Sequence, residues 1–172
     1  AQLLKTTGDE NVGDKLVFCV PSGNLGNICS ALIGNRMGLP VKRFIAANNR
    51  NRVFADYLSS GIYSPKASIL TVANAMDVGA PSNFARILDL YGKDYDKISA
   101  AISGYSFDDK EILDIINTVY REEGYLLDPH GATGYLALKN SLKEGEIGIF
   151  LETAHPAKFK ETVESSIGQT IE

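Results

Sequence analysis

Leu16-Val17-Phe18-Cys19-Val20, running directly into Pro21-Ser22-Gly23-Asn24-Leu25-Gly26-Asn27, most narrows the folds open to this chain. Five consecutive apolar, β-prone residues without alternation read as a strand buried on both faces, the signature of a parallel sheet covered by helices. After the polar heptapeptide, Leu25, Ile28, Cys29, Leu32 and Ile33 recur at helical spacing. The unit is strand, glycine-rich loop, helix. Glycine permits close backbone approach, and the first-turn N–H groups of a helix are unsatisfied and carry positive partial charge. Such a loop suits an anion. It equally suits a plain bend in which Ser22 or Asn24 caps the helix. Gly23-x-x-Gly26 lacks the Gly-Lys-Ser/Thr of a Walker loop and the third glycine of a dinucleotide fingerprint, so a smaller phosphorylated ligand fits better than a nucleotide.

The same alternation continues along the chain. The first helix ends near Met37-Gly38 before Pro40, and Lys42 to Ala47 reads as the second strand. Val53, Phe54, Tyr57 and Leu58 mark a helix closed by Gly61, and Ser68 to Val72 reads as a third strand. Ser82 caps a helix burying Phe84, Ile87, Leu88 and Tyr91, ending at Gly92; Lys93 to Phe107 reads as helical with a polar break. Asp108 or Asp109 caps a helix with an apolar face of Ile112, Ile115, Ile116, Val119 and Tyr120, ended by Gly124. A short extended piece, Tyr125 to Leu127, leads to a helix over Gly131 to Leu142. A strand, Ile147 to Leu151, and a last helix from Pro156 complete the series. The expected fold class is α/β, a mostly parallel sheet with helices on both faces, in a single domain over residues 1–172. Ala1 to Thr7 reads as the end of a helix entered without a cap.

Composition bounds the function. The net charge of −4, with no Lys/Arg cluster, argues against a nucleic-acid surface. No apolar run approaches the ~20 residues that span a bilayer, and the N-terminus has no signal-peptide pattern. Cys19 and Cys29 fall on predicted buried faces and read as small hydrophobes in a reducing compartment, which points to the cytoplasm. Two histidines distant in sequence, without a carboxylate pattern around them, make no metal site.

Ligands of open parallel sheets bind outside the carboxyl ends of strands. Polar segments fall there at Ser22 to Asn27, Asn48 to Asn51, Asn74 to Asn83 and Thr153 to Pro156, with Asp128-Pro129-His130-Gly131 before a helix. Four of these stretches together resemble the threonine synthase family, pyridoxal-phosphate enzymes of the tryptophan-synthase-β-like fold (fold type II). They are Pro21 to Asn27, then Ala75-Met76-Asp77-Val78 with Pro81-Ser82-Asn83-Phe84, then Asp128-Pro129-His130, then Thr153-Ala154-His155-Pro156-Ala157-Lys158-Phe159. The resemblance covers essentially the whole chain, and the last stretch is its most specific part. It implies an enzyme that converts O-phosphohomoserine and water to threonine and phosphate. It places the phosphate of pyridoxal 5'-phosphate on Gly23, Asn24, Leu25, Gly26 and Asn27, and the pyridine nitrogen at the Thr153 hydroxyl. A neutral hydroxyl does not enforce a protonated ring, as an aspartate would. The family more often carries Phe where Leu25 stands, a change that leaves the backbone N–H in place.

The family's Schiff-base lysine lies well upstream of the Gly-Asn loop. Here only Lys5 and Lys15 precede it, neither in the family's Lys-Asp context, and Lys93-Asp94 reads as a solvated turn. No residue of this chain fits that role. The chain thus resembles the C-terminal portion of a longer enzyme, is expected to be inactive alone, and is expected to expose, by truncation, apolar surface suited to self-association. Ser82, Asn83 and Arg86 are candidates for the substrate's phosphate or carboxylate, against a cap and an exposed arginine as the alternative. His130 reads as a wall or helix-start residue, His155 as support for Thr153, Asp77 as a loop anchor, and Glu152 as facing away from Thr153. Two other readings stand beside this one: a fragment of a related deaminase or sulfhydrylase of the same fold, and a stand-alone anion-binding or regulatory module.

Overall fold

A computed structural model describes residues 12–171; the predicted helix end at Ala1 to Thr7, and Lys5 with it, lie outside the described residues. Four strands, β1 (Leu16–Pro21), β2 (Arg43–Asn48), β3 (Ile102–Ser106) and β4 (Ile147–Phe150), form one parallel sheet in the order β3-β2-β1-β4. Seven α-helices accompany them among the described residues. Between β1 and β3 these are α1 (Gly26–Arg36), α2 (Val53–Ser60), α3 (Phe84–Leu90) and α4 (Tyr95–Ala101). After β3 come α5 (Asp109–Glu123), α6 (Pro129–Ser141) and α7 (Lys160–Ile167). The expected α/β class holds.

Strand alternation sorts the core into two layers. Val17, Cys19, Ile45 and Ala47 face a cluster built with Ile112, Ile115, Ile116 and Val119 of α5, Ala132, Ala137 and Leu138 of α6, and Ile167 of α7. Val20, Phe44 and Ala46 face the opposite cluster, with Ile28, Cys29 and Leu32 of α1, Phe54 and Tyr57 of α2, Phe84 and Ile87 of α3, and Ile98 of α4. Burial on both sides is what the unbroken apolar run of β1 demanded. Burial pushes the Cys19 thiol up to about 12, so it behaves as a small hydrophobe.

Asp108 caps α5 through a reciprocal box: it accepts from the Glu111 amide at 2.9 Å, and Glu111 accepts from the Asp108 amide at 2.8 Å. Gly124 ends that helix in the left-handed region, as Gly61 ends α2. The last helix begins as a 3-10 turn, Pro156–Phe159, before α7.

Two expected elements differ. Ser68 to Val72 joins no strand ladder. Its backbone is served by side chains: Asn51 accepts from the Ile69 amide at 2.8 Å and donates to the Ile69 carbonyl at 2.9 Å, while Asp77 accepts from the Thr71 amide at 3.1 Å. Conversely, Lys93 to Phe107 is helical only over Tyr95–Ala101 and then forms β3. In its Ile-Ser-Gly-Tyr-Ser sequence the β-prone Ile102 and Tyr105 are diluted by two serines and a glycine. Pairing with β2 makes it a strand, and Gly104 admits α2, whose Ala55 Cα would lie 2.9 Å from a Cβ there.

Candidate functional site

The chain steps from β1 to β2 to β3 in one direction across the sheet, then places β4 on the other side of β1. The strand order reverses between β1 and β4, and open α/β sheets bind ligands outside the carboxyl ends of their strands at such a switch point. The loop Ser22–Leu25 leaves β1 on one side of it, and Glu152 and Thr153 follow β4 on the other. The register carries this over: Leu151 donates to the Cys19 carbonyl at 3.1 Å, one step beyond the last β1–β4 pair.

The loop is built against the sheet. Ser22 is buried; its amide donates to Ala47 at 2.7 Å, its hydroxyl to Val20 at 2.7 Å, and its carbonyl accepts Asn48 Nδ2 at 2.5 Å. Asn48 Oδ1, beside it, is buried and has no hydrogen-bond partner among the described residues. Gly23 is forced by packing: a Cβ would sit 2.6 Å from Met76 Cα and 3.2 Å from the Ala75 carbonyl oxygen. Leu25 takes the N-cap position of α1 in the left-handed region, φ 63°, with its side chain buried. That conformation is an outlier for a bulky residue and stores strain of about 1–3 kcal/mol. No side chain caps α1. Neither Ser22 nor Asn24 is the helix cap that the bend reading required. The first-turn amides therefore keep their donors, Gly26 and Asn27 are exposed, and the nearest atom to a Cβ on Gly26 would be Asn83 Nδ2 at 3.7 Å.

A strap from the 81–83 segment clasps this loop. The Ser82 amide and hydroxyl donate to Asn24 Oδ1 at 2.6 and 3.0 Å, and Asn83 Nδ2 donates to the Asn24 carbonyl at 2.8 Å. Arg86 Nη1 reaches back to Asn83 Oδ1 at 2.8 Å. Ser82 is therefore not the cap of α3; Asn83 holds the N-cap position without a side-chain cap bond. The sequence pointed to Ser82, Asn83 and Arg86 separately from the loop, and the fold joins them to it.

Behind the loop lies a buried polar network with little sequence signal beyond its run of asparagines. Asp77 Oδ1 accepts from Asn49, Asn51 and Thr71 Oγ1 at 2.8, 3.0 and 2.7 Å, which makes Asp77 the loop anchor expected. Asp128 caps α6 through the His130 and Gly131 amides, and its Oδ1 lies 2.8 Å from His130 Nδ1. His130 is buried and its Nε2 accepts the Ala75 amide at 3.1 Å, so it is a wall residue that holds the neighbour of Gly23.

Thr153 is exposed, three residues past the end of β4. His155 does not brace it: its Nδ1 accepts the Ala157 amide at 3.2 Å and caps the following 3-10 turn, where Pro156 takes the first position. Glu152 lies over Gly131, whose Cβ would meet its carboxyl oxygens at 2.3 and 2.4 Å. Partial desolvation and the charge of the neighbouring Asp128 carboxylate push the Glu152 carboxyl up to about 8. Lys15 ends the turn that precedes β1, so the six residues of that strand separate it from the loop by about 20 Å. Lys93 is exposed in the left-handed turn after Gly92, as expected. Among the described residues, no group of three or more His, Cys, Asp or Glu side chains is arranged to hold a metal.

Residues 2–152 match the family described as "Pyridoxal-phosphate dependent enzyme". With the sheet, the switch point and the glycine loop in place, the chain belongs to that family. Its individual relatives are more specific. It is 45% identical over 155 residues to threonine synthase of Haemophilus influenzae, covering 90% of this chain and 36% of that protein. It superposes on the crystal structure of threonine synthase from Escherichia coli with a TM-score of 0.88 at 42% identity, over 95% of this chain and 38% of that one. The pyridoxal-phosphate-bound threonine synthase from Brucella melitensis gives a TM-score of 0.88 at 27% identity, over 99% and 42%. The chain thus spans little more than a third of the length of the curated relatives it matches.

Proposed function

We propose that this chain is the cofactor-phosphate-binding portion of a threonine synthase, corresponding to its C-terminal part, with O-phosphohomoserine as the substrate of the complete enzyme. The observation that carries the reading is the uncapped N-terminus of α1 behind an exposed Gly26, at the switch point between β1 and β4. Those donors fit a phosphate. Gly23, Asn24, Leu25, Gly26 and Asn27 would hold the phosphate end of pyridoxal 5'-phosphate, and Thr153 would meet its pyridine nitrogen. When bound, the cofactor supplies an electron sink for carbanion chemistry at its substrate. Ser82 and Asn83 fix the loop through Asn24, and Arg86 offers a guanidinium to a phosphate or carboxylate beside it.

With no lysine at the loop among the described residues, the chain is expected to bind the cofactor without turning over substrate. The test is to add pyridoxal phosphate and O-phosphohomoserine to the purified chain and follow cofactor absorbance and released phosphate. Saturable cofactor binding without phosphate release supports the reading; steady phosphate release refutes the inactivity. No described helix is long and apolar enough to cross a membrane, in keeping with a cytoplasmic location. Exposed Tyr125, Leu142 and Ile147 near the edge strand β4 support self-association, which light scattering across concentration would register.

A further inference from the structure

The neighbours of Asn83 allow its side-chain amide only one orientation. Pro81 and Phe84, on either side of Ser82-Asn83, are buried, and the Phe84 ring stacks on Tyr63 with centroids 4.0 Å apart and meets Tyr57 edge-on at 4.7 Å. That aromatic anchor fixes the backbone from which Asn83 reaches over the loop. Arg86 Nη1 donates to Asn83 Oδ1 at 2.8 Å, and Asn83 Nδ2 donates to the Asn24 carbonyl at 2.8 Å. A flipped amide would set its NH2 against the guanidinium and its oxygen against a carbonyl, and both bonds would be lost.

A side-chain amide nitrogen carries two hydrogens, and Asn24 takes one of those on Asn83. The second has no partner among the described residues. It stands at the mouth of the loop, because Nδ2 is the nearest atom, at 3.7 Å, to the point where a Cβ on Gly26 would project. The uncapped first turn of α1 begins at that same residue. Asn24 is fixed in the same sense: the Ser82 amide and hydroxyl both donate to its Oδ1, at 2.6 and 3.0 Å, so its free end is a donor as well.

We propose that Asn83 is a binding residue for the phosphate on this loop: its second Nδ2 hydrogen adds a side-chain donor to the backbone donors of Gly26 and Asn27. Arg86 is the positioning residue that keeps the nitrogen of Asn83, and not its oxygen, at the loop mouth. The proposal rests on the phosphate-loop reading and separates two neighbours in the strap. Both donors of Ser82 are spent on Asn24, so Ser82 positions the loop and gives the ligand nothing directly.

The test titrates the full, isotopically labelled chain with inorganic phosphate and follows the Asn83 side-chain NH2 beside the backbone amides by NMR. The unbonded hydrogen should move downfield and saturate together with Gly26 and Asn27, while the hydrogen bonded to Asn24 moves little. Arg86→Leu should abolish that side-chain response and Arg86→Lys, which keeps a donor for Oδ1, should restore it. The Kd for pyridoxal phosphate is then compared across variants at Asn83. Asn83→Ala removes the donor and should weaken binding by about tenfold. Asn83→Asp keeps an acceptor for Arg86 but puts a carboxylate where the donor stood, so it should weaken binding further, by an excess that shrinks as salt rises. Both variants lose the bond to Asn24, so a residue that only clasps the loop would weaken binding equally in the two. The side-chain titration needs no variant and decides the matter even where a substitution unfolds the chain. A response at Gly26 and Asn27 without one at the Asn83 side chain, or equal affinities for the Ala and Asp variants, overturns the proposal and leaves the phosphate loop standing. An Asn83 response unchanged in Arg86→Leu overturns the role of Arg86. Silence at Gly26 and Asn27 overturns the loop reading and the proposal with it.

Discussion

Alanine at Gly23 and at Gly26 should separate what the fold needs from what a ligand needs. A Cβ at Gly23 would lie 2.6 Å from Met76 Cα, about 0.8 Å inside the 3.4 Å at which ordinary contact begins. The obstacle is backbone, so the Asn74–Met76 turn itself must move. A displacement of that size carries the Ala75–His130 bond from 3.1 Å to the order of 3.9 Å, beyond hydrogen-bonding distance. Overpacking costs about 1–3 kcal/mol, and a buried bond broken instead costs a similar amount. One relieves the other, so the two do not add. Gly23→Ala should lose about 2 kcal/mol, which for a domain of this size lowers Tm by about 4–8 °C. At Gly26 a Cβ meets only Asn83 Nδ2 at 3.7 Å, and its φ lies outside the left-handed region, so stability should change by no more than about 0.5 kcal/mol. Its methyl group would nevertheless stand in the open mouth of the loop, and loss of one charge-assisted bond should weaken pyridoxal phosphate binding by about tenfold or more. Thermal denaturation and cofactor titration of both variants decide the matter. Gly23→Ala with wild-type Tm would refute the packing argument. Gly26→Ala with unchanged affinity would refute the assignment of the loop.

Asp77→Ala should leave Asn49, Asn51 and Thr71 without their shared acceptor and cost about 2–4 kcal/mol, read as a lower urea midpoint; a change under about 0.5 kcal/mol would show that water replaces the carboxylate. Glu146 is held far below the ordinary carboxylate range, first by its bond from Arg43, then by the Lys143 amide and Lys42. Its folded pKa is depressed, so the stability it contributes is present above its unfolded value of 4.5 and is lost as pH falls below that. Urea midpoints measured on the acid side should drop less for Glu146→Gln than for wild type; parallel curves would contradict this.

Much of the fold is legible in the sequence because burial writes itself as pattern. The unbroken run at Leu16 and the three-and-four spacing at Ile112 to Val119 each report a face that must leave water. The two misassigned elements share one cause. Ile-Leu-Thr-Val at 69–72 has the residues of a strand, but Asn51 and Asp77 provide its hydrogen bonds from side chains. Ile102–Ser106 is diluted by two serines and a glycine, but β2 offers it a ladder. Which partner a backbone finds is decided by tertiary placement, and local propensity does not encode it. The same holds at the site. The glycines at 23 and 26 look alike in sequence, yet one answers to Met76 and the other to open space. The tie from Asp128 through His130 to Ala75 joins two distant stretches and has no local signature beyond Asp128-Pro129-His130.

The central claim is that a phosphate sits on the N-terminus of α1. Titrating the isotopically labelled chain with pyridoxal phosphate, and separately with inorganic phosphate, tests it by amide NMR. The account predicts that the largest shifts fall on the amides of Gly26, Asn27 and Ile28, with both ligands competing for them. Shifts that centre elsewhere in the sheet, or saturable cofactor binding that leaves those three amides unmoved, would contradict it.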